Sequence, residues 1–446
     1  MRVVVAGAGL AGLTAAAALT ARGAEVVVLE ARDRVGGRTR GREVLPGVWV
    51  DAGAAYLGDR HVELHDLLAA HGLKTTPATV PGASRFALGD RDEVRPGRFP
   101  PLSAVALGDM FDRIDEVTTR VRVDAPWSTP DAGRLDRLTV ADWADQNLAH
   151  PDARLFFPLF LGEMMAADPA TVSVLHMAFY LRSGGGTRYL NAFAGGAQQD
   201  RVAGGAHQLA ERLAAGLDVR LGERVDAIEQ DDTGAWVCAG ARRHRADAVV
   251  VALPPLLAQR IRFTPGLPAP RATDRTARGC AVKVHLVYPR PLWREHGLSG
   301  WSVNAEGPLL STVDDSPADG GAGVLTGFVT GGEAHRFAAL DADARRAAAC
   351  AQARRLFPQL PEPTSVLVTD WVDEEFSRGC YAALFGPGDW LTLGPHLINP
   401  HGRVHWAGTE TSREFFGLME GAIRSGHRVA AEILTEHSSA VQEVAP

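Results

Sequence analysis

"RVVVAGAGLAGLTAAAALTARGAEVVVLE" spans residues 2–30 and sets the architecture of the chain. The apolar run "RVVVA" precedes a glycine turn and an Ala-rich stretch that stops at Gly23, and a second apolar run ends at Glu30. This order is typical of a strand, a helix and a second strand, and two strands joined in this way lie parallel in one sheet. The sequence therefore predicts an α/β fold from its first residues.

The glycine turn carries the G-x-G-x-x-G pattern of dinucleotide-binding proteins. Gly7, Gly9 and Gly12 permit a tight turn and let backbone amides approach a pyrophosphate, which the start of the helix then stabilises. Glu30 follows at the end of the second strand, where it can accept hydrogen bonds from ribose hydroxyls. A G-x-G-x-x-G pattern by itself can also be a tight turn that binds no ligand. Here the strand before it, the helix after it and the acidic residue Glu30 are all present.

Length and composition exclude several classes of protein. A chain of 446 residues predicts two or more lobes, and a net charge of -7 argues against a nucleic-acid or anionic-membrane surface. The four cysteines are widely spaced, so we expect free thiols in a cytoplasmic protein, with no disulfide framework and no metal site. The strand-like start leaves no room for a signal peptide, and we expect no membrane anchor.

A second glycine- and arginine-rich segment, "ARDRVGGRTRG", follows at residues 31–41. An NAD enzyme has no need of it. Here the chain resembles the flavin amine oxidase superfamily, whose FAD signature continues as R-x-G-G-R, and Arg34, Gly36, Gly37 and Arg38 fit that signature. The resemblance implies a Rossmann-like (GR2-type) FAD-binding domain with an interleaved α+β substrate-binding domain.

The resemblance covers nearly the whole chain and is greatest to the monoamine oxidase branch. Residues 75–189, with Pro-rich connections and amphipathic stretches, are predicted to form a helical second lobe. The expected boundaries are 1–75, 195–270 and 395–437 for a discontinuous FAD-binding domain, 76–194 and 271–394 for the substrate-binding domain, and 438–446 for a polar tail.

The cofactor-binding residues implied by the resemblance lie in several separate segments. They are Gly7, Ala8, Gly9, Leu10, Ala11, Gly12, Glu30, Arg32, Gly37, Arg38, Ala54, Ala55, Tyr56, Val225, Trp371, Cys380, Gly408, Thr409, Glu410 and Met419. Arginine suits phosphate recognition, so Arg32 and Arg38 are expected at the phosphates of FAD, while Arg34 and Arg40 fit a solvated loop equally well. Cys380 matches the position where some relatives bind the flavin through sulfur, so covalent and non-covalent FAD both remain open.

Lys283 lies in the alternating apolar segment "CAVKVHLVYP", and Lys74 is the only other lysine among 46 Lys and Arg residues. A lysine on a buried strand should have a lowered pKa, which suits proton or oxygen chemistry. The alternative is a lysine whose head reaches solvent. The resemblance implies that Lys283 holds a water below the flavin and that Tyr381 forms one wall of an aromatic cage, so these two are the expected catalytic residues. His285 shares a strand face with Lys283 and is assigned a structural role.

The resemblance also implies a substrate cavity, which departs from the family pattern at two positions. Its expected residues are Gln198, Glu163, Met164, Leu190, Phe328 and Leu418. Leu418 stands where the second aromatic wall of the cage is usual, with Phe415 or Phe416 nearby. Glu163 stands where small apolar residues are usual. We hypothesise that Glu163 pairs with a second cation on a diamine or polyamine, and the alternative is a glutamate turned to solvent.

The implied reaction is the oxidation of a C–N bond of an amine to an imine, which hydrolyses, while O2 is reduced to hydrogen peroxide. The implied partners are a small amine and O2, and a homodimer is left open. Three alternatives remain: an oxidase or desaturase acting on an α-amino acid or a biosynthetic intermediate, a flavin dehydrogenase that does not use O2, and an FAD-binding module without turnover. The loop "DAGAAYLG" lacks the arginine with which amino-acid oxidases bind a carboxylate, and the presence of Lys283 and Tyr381 argues against the module.

Overall fold

The computed structural model describes residues 1–78, 81–271, 277–318 and 320–444. Its N-terminal unit is the strand Arg2–Ala6, the helix Leu10–Thr20 and the strand Glu25–Glu30. The two strands pair in parallel, and Gly23, with a φ of 83°, turns the chain between the helix and the second strand. The predicted strand–helix–strand unit is therefore confirmed.

Strands from distant parts of the chain complete a parallel five-stranded sheet around this unit. In spatial order they are Asp218–Leu221, Glu25–Glu30, Arg2–Ala6, Ala248–Val251 and Val404–Trp406. Every neighbouring pair is parallel. The central strands are buried on both faces, which explains their unbroken runs of valine. The carboxyl ends of these strands meet at one edge, where ligands of open α/β sheets bind.

A mixed seven-stranded sheet forms the second large layer. In spatial order its strands are Ser365–Asp370, Ala281–Tyr288, Gly323–Thr330, Ser311–Asp314, Leu298–Asn304, Ala83–Leu88 and Arg91–Pro96. All eight residues of Ala281–Tyr288 are buried, because this strand lies between two neighbours and is covered on both faces. Lys283 therefore sits within the layer and not at its rim.

Smaller sheets and the helices connect the two layers. The smaller sheets comprise Arg242–Ala246, Gly234–Ala239, Ala227–Asp231 and Arg262–Thr264; Tyr56–Leu57, Asp200–Val202 and Thr75–Pro77; Gly41–Leu45 and Val48–Asp51; and Ala277–Arg278 and Ala383–Leu384. The remaining α-helices are Val62–Ala70, Ala104–Thr118, Ala132–Arg137, Val140–Asn147, Pro151–Met165, Val174–Ser183, Thr187–Asn191, His207–Ala214, Pro255–Ala258, Leu292–Glu295, Gly331–Ala338, Ala342–Leu356, Asp389–Thr392 and Met419–Val444. Short 3-10 turns occur at Pro126–Ser128, Gly394–His396 and Thr409–Thr411. Across the described ranges, none of the helices is at once long and apolar enough to traverse a bilayer.

The last helix packs directly on the first, and a glycine makes this contact possible. A Cβ atom at Gly426 would lie 2.6 Å from the backbone oxygen of Ala11 and 2.8 Å from the Thr14 side chain. Any larger residue would force the two helices apart. The C-terminal segment thereby closes over the N-terminal fingerprint.

The structure differs from the sequence expectation in two segments. Residues 75–189 are helical only in part, because the hairpin Ala83–Leu88 and Arg91–Pro96 joins the seven-stranded sheet. Burial alternates along its first strand and Gly89, with a φ of 64°, forms the turn, but the hairpin is short beside the helical segments that follow. At the other end, the helix that starts at Met419 extends to Val444, so the stretch expected as a polar tail largely continues that helix.

Candidate active site

A cavity that opens to solvent, with about 1660 Å³ of empty space when that open solvent is included, lies between the edge of the five-stranded sheet and the strand that carries Lys283. Its wall includes Gly7 and Ala252, which follow two parallel strands, and also Lys283 from the seven-stranded sheet. The same wall also includes Glu163 and Leu418, so one continuous space reaches both the predicted cofactor segments and the predicted substrate residues.

The glycine fingerprint fits a dinucleotide. A Cβ at Gly12 would lie 2.0 Å from the backbone oxygen of Gly7, so the helix starts in close contact with the turn. A Cβ at Gly9, in contrast, would meet no protein atom within 4 Å and would project into open space. The helix Leu10–Thr20 begins at Gly9 without a side-chain cap, so its first amides are available to a phosphate. A pyrophosphate would occupy this cradle.

Glu30 is held in place for a ribose. Its carboxylate is buried and accepts hydrogen bonds from the backbone amides of Ala8 at 2.8 Å and Arg32 at 2.9 Å. The Arg32 guanidinium adds a longer contact at 3.5 Å. An ionised carboxylate has about four acceptor positions, so capacity remains for ribose hydroxyls. The side chain also lines the cavity, which is the geometry that the fingerprint predicts.

The two arginines expected at the phosphates already have carboxylate partners. Arg32 donates to Glu374 at 2.6 Å and 3.1 Å and to Ser377. Arg38 forms a two-point pair with Glu410 at 2.6 Å and 3.1 Å and also donates to the backbone oxygen of Tyr381. Both side chains line the cavity, but their charges are largely compensated within the protein. The helix start, and not a free guanidinium, is the main site for phosphate charge.

Arg34 and Arg40, for which the sequence left both a phosphate role and a solvated loop open, do not line the cavity. Arg34 donates to the backbone oxygens of Val35 and Gly37, so it braces the turn itself. Burial lowers the pKa of both Arg34 and Arg40, and neighbouring arginines add to this effect. The structure gives the Arg34 side chain a role within the loop.

Lys283 is buried and faces the cavity. Its ammonium donates to the backbone oxygens of Asp51 at 2.6 Å and Gly53 at 2.9 Å, and the Phe328 ring centroid lies 5.2 Å away. An ammonium has three donors, so one remains for a ligand or water. Burial lowers the pKa of Lys283, while Asp315 and Asp51 oppose the shift. A lysine whose head reaches solvent is excluded by these contacts.

Only one wall of the expected aromatic cage is aromatic. Tyr381 and Leu418 both line the cavity. Phe415 and Phe416 do not take the place of the missing ring: Phe415 packs edge-on against His61, and Phe416 is fully buried in an aromatic cluster. The side of the expected cage that faces Tyr381 is therefore aliphatic, at Leu418.

Cys380 lies beside Tyr381 on the same wall and forms no disulfide. Burial raises the pKa of its thiol to about 12, although Arg38 opposes the shift. Trp371, also on the wall, donates from its indole nitrogen to the backbone oxygen of Ala52 at 2.8 Å. The Trp371 bond connects this wall to the loop that follows Asp51, whose residues 53–55 also line the cavity.

Glu163 points into the cavity from the helix Pro151–Met165. Burial raises the pKa of its carboxyl to about 7, and the positive charge of Arg98 and the Ser311 hydroxyl oppose this rise. Arg98 lies over the Phe193 ring at 3.4 Å. Glu163 and Arg98, both within the described ranges, attract each other through space without a close ion pair. The alternative of a glutamate turned to the outer surface is therefore wrong.

The structure brings together all six residues predicted for the substrate cavity and most of those predicted for the cofactor. Gln198 is fixed there by a hydrogen bond from its amide to the backbone oxygen of Leu190 at 3.2 Å. Four predicted cofactor residues do not line the cavity: Ala8, Gly12, Val225 and Glu410. Ala8 holds Glu30, Gly12 packs on the turn, and Glu410 holds Arg38, so these three support the wall from behind. Val225 lies in a hydrophobic cluster with strands of the five-stranded sheet.

Sequence reasoning missed several wall residues. They include Gly53, Tyr180, Ala197, Ala252, Leu253, Pro254, Val313, Phe376 and Ser377. The segment at 252–254 could have been found, because it directly follows a buried parallel strand and such ends carry ligand sites. Tyr180 gives no such signal, since it occupies an ordinary helical position and donates to the backbone oxygen of Met164.

A group of metal-ligand type lies away from the cavity. His405, Glu432 and Glu436 bring one ligand atom each within 4.8 Å of one another. Each ring nitrogen of His405 faces a carboxylate, and Arg428 also pairs with Glu432 at 2.9 Å. His405 and Arg428 already pair with Glu432, and the contacts of His405 with both glutamates link the last helix to the five-stranded sheet.

Comparison with known proteins, by sequence and by structure, finds relatives that are named as amine oxidases. The sequence model of the family described as flavin containing amine oxidoreductase matches residues 10–434. The probable flavin-containing monoamine oxidase A of Dictyostelium discoideum is 34% identical over 97% of each chain. Among solved structures, cyclohexylamine oxidase from Brevibacterium oxydans has 33% identity and a TM-score of 0.93, and wild-type putrescine oxidase bound to putrescine has 31% identity and a TM-score of 0.92. Each of these two alignments covers 98% of this chain and 99% of the other.

Proposed function

Because the chain belongs to the flavin-containing amine oxidoreductase family and is an FAD-dependent amine oxidase, we propose that its substrate carries a second cationic nitrogen, which Glu163 binds. The observation that carries the proposal is the Glu163 carboxylate on the wall of the cavity that also contains Lys283 and Tyr381. A buried carboxylate is unfavourable unless a charge or hydrogen-bond donor compensates it. A substrate ammonium would supply that compensation.

The protein cation that acts on Glu163 does not line the cavity. It is Arg98, which lies over the Phe193 ring. Its positive charge favours the ionised carboxylate without forming an ion pair with it. An ionised carboxylate has about four acceptor positions, so Glu163 retains capacity for hydrogen bonds from a bound amine.

The remaining residues have distinct proposed roles. FAD, when bound, accepts the two electrons removed from the amine and passes them to O2. The turn at 7–12 and Glu30 hold the dinucleotide, and Lys283 places a positive charge and one free donor at the cavity. Tyr381, Phe328 and Leu418 exclude water from the reacting end and orient the amine. Substrate turnover then depends on positioning more than on a strong base.

The similar solved structures do not indicate which amine this protein oxidises. One is an oxidase named for the diamine putrescine and the other is an oxidase named for the monoamine cyclohexylamine. The TM-scores of the two structures with this chain are nearly equal. The choice rests on Glu163 itself. A diamine offers this carboxylate a direct charged partner, whereas a simple alkylamine would leave it with only the through-space attraction of Arg98 and the Ser311 hydroxyl.

The cavity also weighs against an α-amino acid as substrate. Within the described chain, Arg32 and Arg38 are the arginines on its wall, and each is already paired with a carboxylate. A substrate carboxylate would therefore meet Glu163 without a free guanidinium to balance it. A cytoplasmic location and a homodimer remain predictions from the sequence.

The test compares 1,4-diaminobutane with butylamine, which has the same carbon chain and one nitrogen fewer. In the wild type we expect kcat/KM to favour the diamine. Glu163→Gln should lower kcat/KM for the diamine by about 10- to 150-fold, because a hydrogen bond to a charged group contributes roughly 1.5–3 kcal/mol. The value for butylamine should stay within about threefold. Glu116→Gln, at an exposed carboxylate on another helix, is the matched control. An equal loss for both amines would overturn the proposal.

A further inference from the structure

A loop formed by residues 374–377 is fixed at both ends beside the seven-stranded sheet. Before the loop, the Trp371 amide donates to the backbone oxygen of Ala281 at 3.2 Å. After the loop, the Cys380 amide donates to the backbone oxygen of Gly279 at 2.9 Å. Since both ends are held to the segment 279–281, the middle of the loop is the part that can reach the other layer.

Arg32, which follows the strand Glu25–Glu30, grips the middle of this loop from the other layer. Its guanidinium donates to both carboxylate oxygens of Glu374, from Nε at 3.1 Å and from Nη2 at 2.6 Å. Nη2 also donates to the Ser377 hydroxyl at 2.9 Å, and the guanidinium lies over the Phe376 ring at 5.5 Å. The side chains of Arg32 and Glu374 are only 9% and 18% exposed, so solvent and salt weaken this pair less than a surface pair.

The same arginine adjoins the carboxylate that is placed for a ribose. The Arg32 amide donates to Oε1 of Glu30 at 2.9 Å, and the guanidinium lies 3.5 Å from the same oxygen. Glu30, Arg32, Phe376 and Ser377 all line the cavity, whereas Glu374 does not. The Arg32–Glu374 pair therefore joins the two sides of the cavity at its nucleotide end, from behind the wall.

The shape of the loop does not depend on the ion pair. The backbone oxygen of Glu374 accepts from the amides of Ser377 at 3.2 Å and Arg378 at 2.8 Å, and its carboxylate accepts from the Phe376 amide at 3.2 Å. An uncharged amide at position 374 can still accept from Phe376. Replacement of the carboxylate by an amide should therefore keep the turn and weaken only its hold on Arg32.

We propose that the Arg32–Glu374 pair is a latch that retains FAD, which leaves only after the pair opens and the 374–377 loop separates from the nucleotide end of the cavity. A two-point pair between a guanidinium and a carboxylate is one of the stronger contacts between side chains, and its opening limits the rate of release. Glu374 is thus a positioning residue that acts through Arg32. This role concerns retention of the cofactor and is independent of the substrate assigned to Glu163.

The rate of FAD release tests the latch. Cys380→Ala is the parent protein for the measurement, because it lacks the thiol that is predicted to hold the flavin covalently. The FAD-loaded protein is diluted, and the fluorescence of free FAD reports its release. Glu374→Gln in this parent removes one charge and keeps the size of the side chain, and we expect release to become about 10-fold faster, because hydrogen bonds between charged groups are the stronger ones.

The rate of FAD binding separates a latch from a damaged site. In Glu374→Gln the rate constant for binding should equal or exceed that of the parent, because an open loop does not obstruct entry. A variant that lost affinity through slower binding alone would contradict the latch. Unchanged or slower release would also overturn it, since the freed Arg32 would then hold the cofactor by itself.

Two variants in the same loop are matched controls. Glu375 is the adjacent carboxylate and is exposed, so Glu375→Gln removes the same charge outside the pair and should release FAD at the rate of the parent. Glu374→Asp keeps the negative charge and should release FAD more slowly than Glu374→Gln. An equal acceleration in Glu375→Gln would show that the net charge of the loop, and not the pair, sets the rate.

Ser377→Ala keeps the test decisive if Glu374→Gln does not fold. It removes the second acceptor of Arg32 in the loop, and we expect release about 2- to 10-fold faster, as for the loss of one hydrogen bond. Ser377→Thr retains the hydroxyl and should release FAD at the rate of the parent. Release from Ser377→Ala at the parent rate would contradict the latch.

Discussion

The Lys283 ammonium donates a 2.6 Å hydrogen bond to the backbone oxygen of Asp51, a residue 232 positions earlier in the chain. This bond joins the seven-stranded sheet to the end of the strand Val48–Asp51. The loop that begins there lines the cavity with residues 53–55. The Asp51 carboxylate in turn accepts from the Ala206 amide at 2.8 Å. One lysine thus serves both the site and the junction between the seven-stranded sheet and the small sheet that contains Val48–Asp51.

Replacement of Lys283 by methionine should impair both roles, each with its own measurement. Lys283→Met removes the positive charge at the cavity, and we expect reoxidation of the reduced enzyme by O2 to slow by on the order of 100-fold. Two carbonyls also lose their donor, which should lower the free energy of unfolding by about 1–3 kcal/mol. Anaerobic reduction followed by stopped-flow mixing with O2, together with denaturant unfolding, measures both effects. A variant with the reoxidation rate of the wild type would contradict the role assigned to Lys283.

The preference for a diamine should depend on pH through Glu163. The pKa of this carboxyl is raised to about 7, so its ionised fraction increases as the pH rises through that value. The distal ammonium of a diamine, with a pKa of roughly 10.4 by analogy with lysine, stays charged over this range. We therefore expect the ratio of kcat/KM for 1,4-diaminobutane over butylamine to rise with a midpoint near the pKa of about 7.

Glu163→Gln cannot ionise and should show a flat ratio over the same range. Because both amines report on the same protein, pH effects on the reacting nitrogen largely cancel in the ratio. A wild-type ratio that stays flat on either side of the Glu163 pKa would show that this carboxylate does not pair with the second nitrogen.

We predict that FAD is attached covalently through Cys380. The thiol is free and lies on the cavity wall beside Tyr381. After precipitation in acid, the yellow colour should remain with the wild-type pellet and pass to the supernatant for Cys380→Ala. Cys350→Ala removes a buried free cysteine from a separate hydrophobic cluster, so its flavin should stay in the pellet. Flavin released entirely from the wild type would rule out the bond.

The contact between the first and last helices gives a test of packing. Gly426→Ala places a methyl group against the Ala11 carbonyl, and we expect the free energy of unfolding to fall by about 1–3 kcal/mol. Gly108 lies in the helix Ala104–Thr118, and a Cβ added there would meet nothing within 4 Å. Gly108→Ala should therefore stabilise the protein by about 0.5–1 kcal/mol. Denaturant unfolding with excess FAD compares the two variants, and a Gly426→Ala protein as stable as the wild type would show that the helices can move apart.

Local sequence patterns were sufficient for the N-terminal part of the fold. The glycine turn from Gly7 to Gly12 and the acidic end of the second strand at Glu30 lie where the fingerprint places them, because backbone sterics and hydrogen bonding act over a few residues. The hairpin Ala83–Leu88 and Arg91–Pro96 was missed, because its pairing with the strand Leu298–Asn304 involves residues far away in the chain.

The expected role of Arg38 illustrates what composition and motifs leave open. Its place in the loop was found from the sequence, but its pairing with Glu410 depends on a segment 372 residues later. A guanidinium binds whichever anion the fold brings near it, and both phosphate and carboxylate satisfy the same donors. The structure assigns the carboxylate of Glu410 to it.

From its sequence the chain could be placed as an α/β flavoprotein with a rare buried lysine, because periodicity, glycine turns and residue type are local properties. The tertiary structure was needed to turn Glu163 toward the cavity, to leave one side of the cage without an aromatic ring, and to bury the Lys283 ammonium against the backbone oxygens of Asp51 and Gly53. Each of these depends on the desolvation and charge that remote segments impose on a side chain. Such an environment exists only after the segments have packed together.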